Sequence, residues 1–217
     1  MNIVLCALLG YFIGNINMAY IISRIKGFDI REKGTGNAGA SNVMMTVGKS
    51  AGALTAVFDI SKAVVSVILA VRLFPLLRSA EVISGVGCIL GHIFPVAMKF
   101  HGGKGFACLS GMVLAYSPKI FLVLLLAEAV AVLVFDYICI VPVSSSVIFT
   151  IIYSLITGDP FGTLVLSFIS VVILLKHTNN FRRIQNGTEV HVSFLWRKDE
   201  EVKRVRKNSG QKKDGQQ

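Results

Sequence analysis

The sequence predicts an all-α integral membrane protein with about seven transmembrane helices, an outside amino terminus and a cytoplasmic carboxyl terminus. First, 53% of its 217 residues are hydrophobic and only 16% are charged, whereas about a quarter of a soluble domain is charged. Second, apolar and polar residues are separated into long blocks, as in chains that cross a bilayer. Third, the basic residues are distributed unequally between the segments that separate these blocks.

Seven apolar runs are compared with the ~20 residues that a helix needs to cross a bilayer. The predicted spans are residues 2–23, 51–73, 80–98, 105–118, 119–136, 140–157 and 161–176. The fourth run is short, and Ser117-Pro118 divides it from the fifth because proline disfavours helix at and before its position. A single kinked helix over 105–136 is the alternative, and it would invert the topology downstream.

The loop charges favour the first of these topologies. With seven spans, 18 of the 22 Lys and Arg residues fall on the inner side. Three fall outside, at Arg72, Arg78 and Lys119, and Lys62 lies within a span. Positive residues accumulate in cytoplasmic loops, so we expect a multi-pass protein whose carboxyl terminus is cytoplasmic.

The net charge of +10 does not indicate a nucleic-acid partner, because the basic residues lie between and after the spans. The four cysteines show no CxxC spacing and are interpreted as small buried residues. No cofactor or metal site is predicted. Residues 1–190 are expected to form the membrane domain, and residues 191–217 a basic cytoplasmic tail that is disordered towards its end.

The first unusual polar stretch runs from Asp29 to Asn42 and contains three glycines among small polar residues. Glycines permit a chain path in which successive backbone N–H groups point at one anion. A helix starting after the stretch would add its dipole. A flexible connector explains such a loop equally well. The candidate phosphate-binding residues are Thr35, Gly36, Asn37, Gly39, Ala40, Ser41 and Asn42.

The second stretch, at the inner end of a span, contains Gly102, Gly103, Lys104 and Gly105. It is not a Walker A motif, because Gly105 stands where Ser or Thr is required. A lysine on glycine-rich backbone suits a phosphate or a carboxylate, whereas a lone interfacial lysine commonly only snorkels.

The third stretch follows the last predicted span and adds His177, Asn180 and Glu189 on the same inner side. Within the spans, Asp59 and Lys62 are three residues apart, so they share a helix face and can pair. Glu128 is also intramembrane, where ionisable groups are costly.

Together the three stretches resemble the bacterial acyl-phosphate:glycerol-3-phosphate acyltransferase family. The family pattern DIRxxGSGNxGATNxxR corresponds to DIREKGTGNAGASNVMM, GHxxPxxxxFKGGKGVAT to GHIFPVAMKFHGGKGFAC, and RHxxNIxRLxxGxE to KHTNNFRRIQNGTE. The resemblance implies seven spans, a cytoplasmic active site in the bacterial cell membrane, and acyl phosphate and glycerol 3-phosphate as substrates. The reaction would acylate the 1-hydroxyl and give lysophosphatidic acid for phospholipid synthesis.

Site roles also follow from the resemblance. Lys104, His177 and Asn180 would act at the reacting centre, and the residues around Gly36–Ser41, Gly102, Gly103, Gly105 and Glu189 would bind substrate. The general base is left open, because a substrate phosphate oxygen could take the hydroxyl proton.

The chain departs from the family pattern at several positions. Met45 replaces an arginine, Pro142 replaces a serine, and a further arginine is lost near Cys139. Asn15 and Asn17 replace the Ser and Pro of a GSIP segment. These differences leave two alternatives open: an acyl-phosphate-using enzyme with another acceptor, or a non-catalytic lipid-binding paralogue.

Overall fold

The computed structural model describes residues 1–195, and within that range the chain forms nine α-helices and no β-strand. The helices are α1 (Asn2–Gly14), α2 (Met18–Ile25), α3 (Ala40–Thr46), α4 (Lys49–Leu73), α5 (Ala80–Ile93), α6 (Phe106–Tyr116), α7 (Pro118–Phe135), α8 (Val141–Thr157) and α9 (Pro160–Gln185). Residues 196–217 of the predicted basic tail lie outside the described residues, so its disorder and the domain division stay predictions.

Six segments of the described chain are long and apolar enough to cross a membrane. The predicted break at Ser117-Pro118 is present: α6 ends at Tyr116, and Ser117 caps the start of α7. Helix α6 has 11 residues, so it is about 16 Å long, shorter than the ~30 Å hydrocarbon core. The count of seven spans and the orientation therefore stay predictions.

The first predicted span, 2–23, is interrupted where the sequence suggested one continuous helix. Helix α1 ends at Gly14, and Asn17 adopts an extended backbone before α2 begins. The Asn17 side chain accepts a hydrogen bond from Tyr20 N at 2.9 Å, which is the geometry of an N-cap. The hydropathy pattern could not show this break, because it does not detect an asparagine that caps a new helix.

The last predicted span ended at residue 176, but α9 continues to Gln185. The third polar stretch therefore begins on a helix and not in a loop after it. His, Thr and Asn reduce helix propensity without breaking a helix. The helix ends before Gly187, whose φ of +63° is a left-handed conformation that favours glycine.

Helix α5 is at the centre of the bundle, and 12 of its 14 residues are buried. It packs in parallel on α1 through glycines on both helices. A Cβ at Gly10 would lie 2.0 Å from Ser84 O, and one at Gly91 would lie 2.1 Å from Tyr11 O. Small residues let two helix backbones touch, as in membrane proteins generally.

The two ends of the bundle differ. At one end, Ser79, Tyr153 and Asp159 form a buried cluster in which both hydroxyls donate to Asp159 Oδ2, at 2.5 and 2.7 Å. The opposite end gathers the α1–α2 turn, the loop before α3, the α5–α6 loop, the α7–α8 turn and the end of α9. All three polar stretches therefore meet at one end.

Candidate active site

The loop before α3, residues 26–39, is braced by an ion-pair cluster. Asp29 is buried and accepts hydrogen bonds from the Arg31 guanidinium, with the shortest distance 2.6 Å. Arg24 also donates to Asp29, at 3.0 Å. These bonds, those from Arg31 above all, lower the pKa of Asp29 to about 2. Arg31 donates in addition to Met98 O at 2.7 Å, which ties this loop to the α5–α6 loop.

Asn42 holds the same loop in shape from inside. Its side-chain oxygen accepts from Thr35 N at 2.9 Å, and its amide donates to Ile30 O and Lys33 O at 3.0 and 2.9 Å. The residue is 1% exposed. The structure thus places the predicted substrate-binding Asn42 behind the loop, where its side chain orders the backbone.

The other predicted phosphate-binding residues of this loop remain accessible. Thr35, Gly36 and Ser41 are exposed, while Asn37, Gly39 and Ala40 are half-buried. Gly36 has a φ of +72°, which only glycine adopts at little cost. The helix expected after the motif begins inside it, at Ala40, with Gly39 as its N-cap.

The second stretch forms a tight loop against the end of α5. Gly102 N donates to Ile93 O at 3.0 Å, and Gly103 N donates to His92 O at 3.1 Å. No larger residue fits there, because a Cβ at Gly102 would lie 2.0 Å from His92 O. Gly105 has a φ of +90° and turns the chain into α6.

Gly103 brings the first and second polar stretches into contact. A Cβ at this position would lie 2.9 Å from Ala38 O and 2.1 Å from His92 Nε2. The absence of a side chain therefore sets how closely the two glycine-rich loops approach.

Lys104 connects the second stretch to the third. Its Nζ donates to Asn180 Oδ1 at 2.5 Å, Asn180 Nδ2 donates to Glu189 Oε1 at 2.6 Å, and Arg183 Nε donates to Glu189 Oε2 at 2.5 Å. Burial, together with the Arg183 charge, lowers the pKa of Lys104, while Glu189 acts in the opposite direction. The amide of Asn180 is thereby oriented, since an ammonium only donates and a carboxylate only accepts.

His177 lies one helical turn before Asn180 on α9, so the two share a face, and both are buried. Its Nδ1 is 2.8 Å from Ile173 O. A carbonyl oxygen can only accept, so Nδ1 carries the proton. In the neutral ring, Nε2 then holds the lone pair.

Two residues of this site were missed by sequence reasoning. Arg183 is not among the predicted site residues, yet it completes the Lys104–Asn180–Glu189 chain. Cys139 is buried and free like the other three cysteines, which confirms that interpretation, but its thiol also interacts with Glu189. The only feature of the sequence that pointed to Cys139 as a site residue is its position, where the family pattern has an arginine.

The departures from the family pattern lie near the same end. Met45 is on α3 with its side chain 57% exposed. Pro142 is buried at the second position of α8, close after Cys139. Neither side chain can donate a hydrogen bond to an anion.

An apolar cleft of about 240 Å³ lies between α6, α7 and α8. Its wall begins at Phe106, two residues after Lys104, and includes Ile138, next to Cys139. Glu128 borders it and accepts hydrogen bonds from Ser144 and Ser145. The cleft therefore starts beside the polar site and continues between lipid-facing helices.

Comparison with known proteins identifies the arrangement. The sequence profile of the glycerol-3-phosphate acyltransferase family matches residues 4–187. Proteins named glycerol-3-phosphate acyltransferase from Bacillus velezensis and Bacillus subtilis are 35% and 33% identical to this chain, covering 90% of it and 100% of their own lengths.

Two crystal structures of PlsY (YgiH), an integral membrane glycerol 3-phosphate acyltransferase, are also similar at 27% identity. The glycerol 3-phosphate form has a TM-score of 0.81 and covers 90% of this chain and 98% of its own. The lysophosphatidic acid form has a TM-score of 0.74, with 88% and 95% covered. The predicted fold class, an all-α integral membrane protein, is confirmed, and the chain belongs to the glycerol-3-phosphate acyltransferase family.

Proposed function

We propose that this protein transfers an acyl group from acyl phosphate to the 1-hydroxyl of glycerol 3-phosphate, giving lysophosphatidic acid and inorganic phosphate. The relatives' names and the ligands in the titles of the two similar structures support this acceptor and this product. The observation that carries the proposal is the Lys104–Asn180 contact of 2.5 Å, because it joins two sequence motifs into one site beside an apolar cleft.

In the proposed reaction the hydroxyl oxygen attacks the acyl carbon and the bond from that carbon to the phosphate oxygen breaks. The hydroxyl proton passes to an oxygen of the departing phosphate or to His177 Nε2, whose lone pair is fixed by the Nδ1 contact. Acyl phosphate is already activated. The protein's contribution is then mainly positioning and stabilisation of negative charge.

Lys104 supplies that charge stabilisation. Its ammonium is half-buried, and Asn180 holds it on one side, which leaves its other donors for a substrate phosphate. Attraction between an ammonium and a phosphate is stronger in a desolvated site than in water. We assign Glu189 and Arg183 to orienting Asn180, since both Glu189 oxygens are already engaged.

The exposed backbone around Gly36–Ser41 is proposed to bind the acyl-phosphate phosphate, with Asn42 ordering it from behind. The fatty chain would occupy the apolar cleft between α6, α7 and α8. This arrangement keeps the phosphate of the acyl phosphate at the polar end of the bundle and its fatty chain in the bilayer.

We further propose that the site faces the cytoplasm of a bacterial cell, with seven spans in the plasma membrane. The excess of positive residues on the predicted inner side supports this orientation, 18 against three. The polar site lies at the end of the bundle that this topology assigns to the inside.

The test is transfer of labelled acyl from acyl phosphate to glycerol 3-phosphate by the purified protein in lipid vesicles. We expect labelled lysophosphatidic acid and an equal amount of inorganic phosphate, and we expect Lys104→Ala to lower the rate at which both form by about 10- to 100-fold. No product above background, or equal product from Lys104→Ala, would refute the proposal.

A different acceptor is the second candidate, favoured by Met45 and Pro142, where the family has an arginine and a serine. A panel of phosphorylated and unphosphorylated alcohols, assayed at equal concentration, separates the two. Faster transfer to an alcohol without phosphate would favour the second candidate, and binding without turnover of any acceptor would favour a non-catalytic lipid-binding protein.

A further inference from the structure

A buried polar cluster lies in the membrane interior behind the glycine-rich loops. It consists of Asp59 and Lys62 on α4 and His92 on α5, each at most 5% exposed. Lys62 Nζ is 2.7 Å from Asp59 Oδ1 and 3.1 Å from His92 Nδ1. The predicted ion pair between Asp59 and Lys62 is therefore confirmed, and His92 is its third member.

The Lys62 ammonium lies within contact distance of both other members of this cluster. The ligand atoms of Asp59, His92 and Cys108 lie within 4.8 Å of one another, a spacing that a metal ion could use. Lys62 Nζ, however, already contacts two of these three residues, Asp59 and His92, in the place that a metal ion would take. Ionisable groups are costly to bury at such depth, so these three residues are candidates for a functional role.

Lys62 reaches from α4 to the α1–α2 turn. Its Nζ donates to Ile16 O at 2.7 Å and to Gly14 O at 3.2 Å. These carbonyls belong to the interruption between α1 and α2, where the helical hydrogen bonds stop. In a membrane such groups need partners, because water is absent.

The α1–α2 turn in turn holds both loops. Asn17 Nδ2 donates to Ala38 O in the loop before α3 at 3.1 Å. Asn15 Oδ1 accepts from Val96 N, at the start of the α5–α6 loop, at 2.7 Å. The two asparagines that depart from the family pattern are thus tethers from this turn to the two loops.

His92 contacts the second loop directly. Its carbonyl accepts from Gly103 N at 3.1 Å, and its Nε2 fills the space where a Gly103 side chain would be. His92 Nδ1 lies 3.1 Å from Lys62 Nζ and 3.5 Å from Asp59 Oδ1. The ring orientation beside Gly103, one residue before Lys104, therefore depends on the Asp59–Lys62 pair.

We propose that Lys62, together with Asp59 and His92, is a positioning residue for acyl transfer: it fixes the α1–α2 turn and the His92 ring, and through them the spacing of the two glycine-rich loops that bind the substrate phosphates. This inference rests on the proposed function. Displacing a catalytic loop by about 1 Å can cost about 100-fold in rate. The effect of Lys62 on the rate is therefore measurable although Lys62 does not touch the substrate.

The experiment compares four purified variants in vesicles: Lys62→Met, the charge-neutral Asp59→Asn/Lys62→Met, Asn17→Ser and the control Asp159→Asn. Asn17→Ser keeps the cap of α2, because serine is an equally good N-cap, and loses only the donor to Ala38 O. Asp159→Asn removes a buried carboxylate at the opposite end. For each, the melting temperature, kcat and the KM for both substrates are measured.

We expect Lys62→Met to lower kcat/KM by about tenfold or more. The double variant should regain stability, since a neutral pair replaces a buried ion pair, without regaining kcat/KM. Asn17→Ser should raise KM several-fold at an unchanged melting temperature, and Asp159→Asn should lose stability only. Wild-type kcat/KM in the double variant, or in Asn17→Ser, would overturn the inference.

The same four variants also cover two other outcomes: Lys62 variants that do not fold, and a wild type without acyltransferase activity. If the Lys62 variants do not fold, Asn17→Ser alone decides, by the same criterion. If the wild type makes no lysophosphatidic acid, the proposed function fails, and positioning is judged from calorimetric binding of glycerol 3-phosphate. Weaker binding by Lys62→Met and Asn17→Ser than by Asp159→Asn would then support the positioning role, and equal binding would refute it.

Discussion

Replacing Glu189 by glutamine removes one negative charge from the Lys104–Asn180–Glu189–Arg183 chain while keeping the size of the side chain. The two carboxylate oxygens accept from Asn180 and Arg183 at 2.6 and 2.5 Å. A glutamine has one acceptor oxygen, so one of these donors would face its NH₂ group. Hydrogen bonds to charged groups contribute about 1.5–3 kcal/mol each, and we expect the free energy of unfolding to fall by about 2 kcal/mol.

The effect on catalysis follows from the orientation of Asn180. Without a partner that only accepts, its amide can turn and present NH₂ to Lys104. Each 1.4 kcal/mol is a factor of ten, so kcat/KM should fall about 10- to 100-fold. Because Glu189 raises the pKa of Lys104, its neutralisation should lower that pKa further. The alkaline limb of kcat/KM against pH should then move to lower pH.

The assay is the initial rate of acyl transfer in vesicles across the pH range, with the melting temperature of each variant. Asp159→Asn is the matched control, since it also neutralises a buried carboxylate, but at the opposite end. It should lose stability and keep the pH profile. A Glu189→Gln variant with unchanged kcat/KM and an unmoved alkaline limb would refute the reasoning.

Three further predictions concern the loops and the cleft. Asp29→Asn should lower the free energy of unfolding by about 2 kcal/mol at neutral pH. The pKa of Asp29 in the folded protein is depressed to about 2. Thermal melts should therefore show the stability difference between wild type and variant shrinking as pH falls from about 4 towards 2. Met45→Arg should lower the KM for glycerol 3-phosphate about tenfold by adding a bidentate donor, whereas Met44→Arg should not. Val113→Phe, which narrows the apolar cleft, should shift acyl-chain preference in competition assays towards shorter chains.

The hydropathy blocks were sufficient to predict an all-helical membrane protein, because the bilayer itself separates apolar from polar residues along the chain. They could not show the break at Asn17 or the continuation of α9 to Gln185. Both depend on local backbone chemistry, an N-cap in one case and Gly187 at a positive φ in the other, which averaged hydropathy does not detect.

The site was predicted in part, and the missing parts have a common reason. Glycine spacing and the motif order indicated Lys104, His177 and Asn180. The role of Cys139 requires that residues distant in sequence meet at Glu189, and the role of Arg183 depends on its contact with the same carboxylate. Such pairwise contacts leave no mark in a single sequence. The same holds for His92, which resembles an ordinary core residue until Lys62 and Gly103 are seen beside it.

The central claim is that the second and third motifs form one phosphate-handling site through Lys104 and Asn180. A double-mutant cycle of Lys104→Ala and Asn180→Ala, scored by kcat/KM for acyl transfer, tests it most directly. Residues that act as a unit are non-additive, so we predict a coupling of about 1–3 kcal/mol, with the double variant little worse than either single one. Additive losses, with a coupling below about 0.5 kcal/mol, would contradict the account.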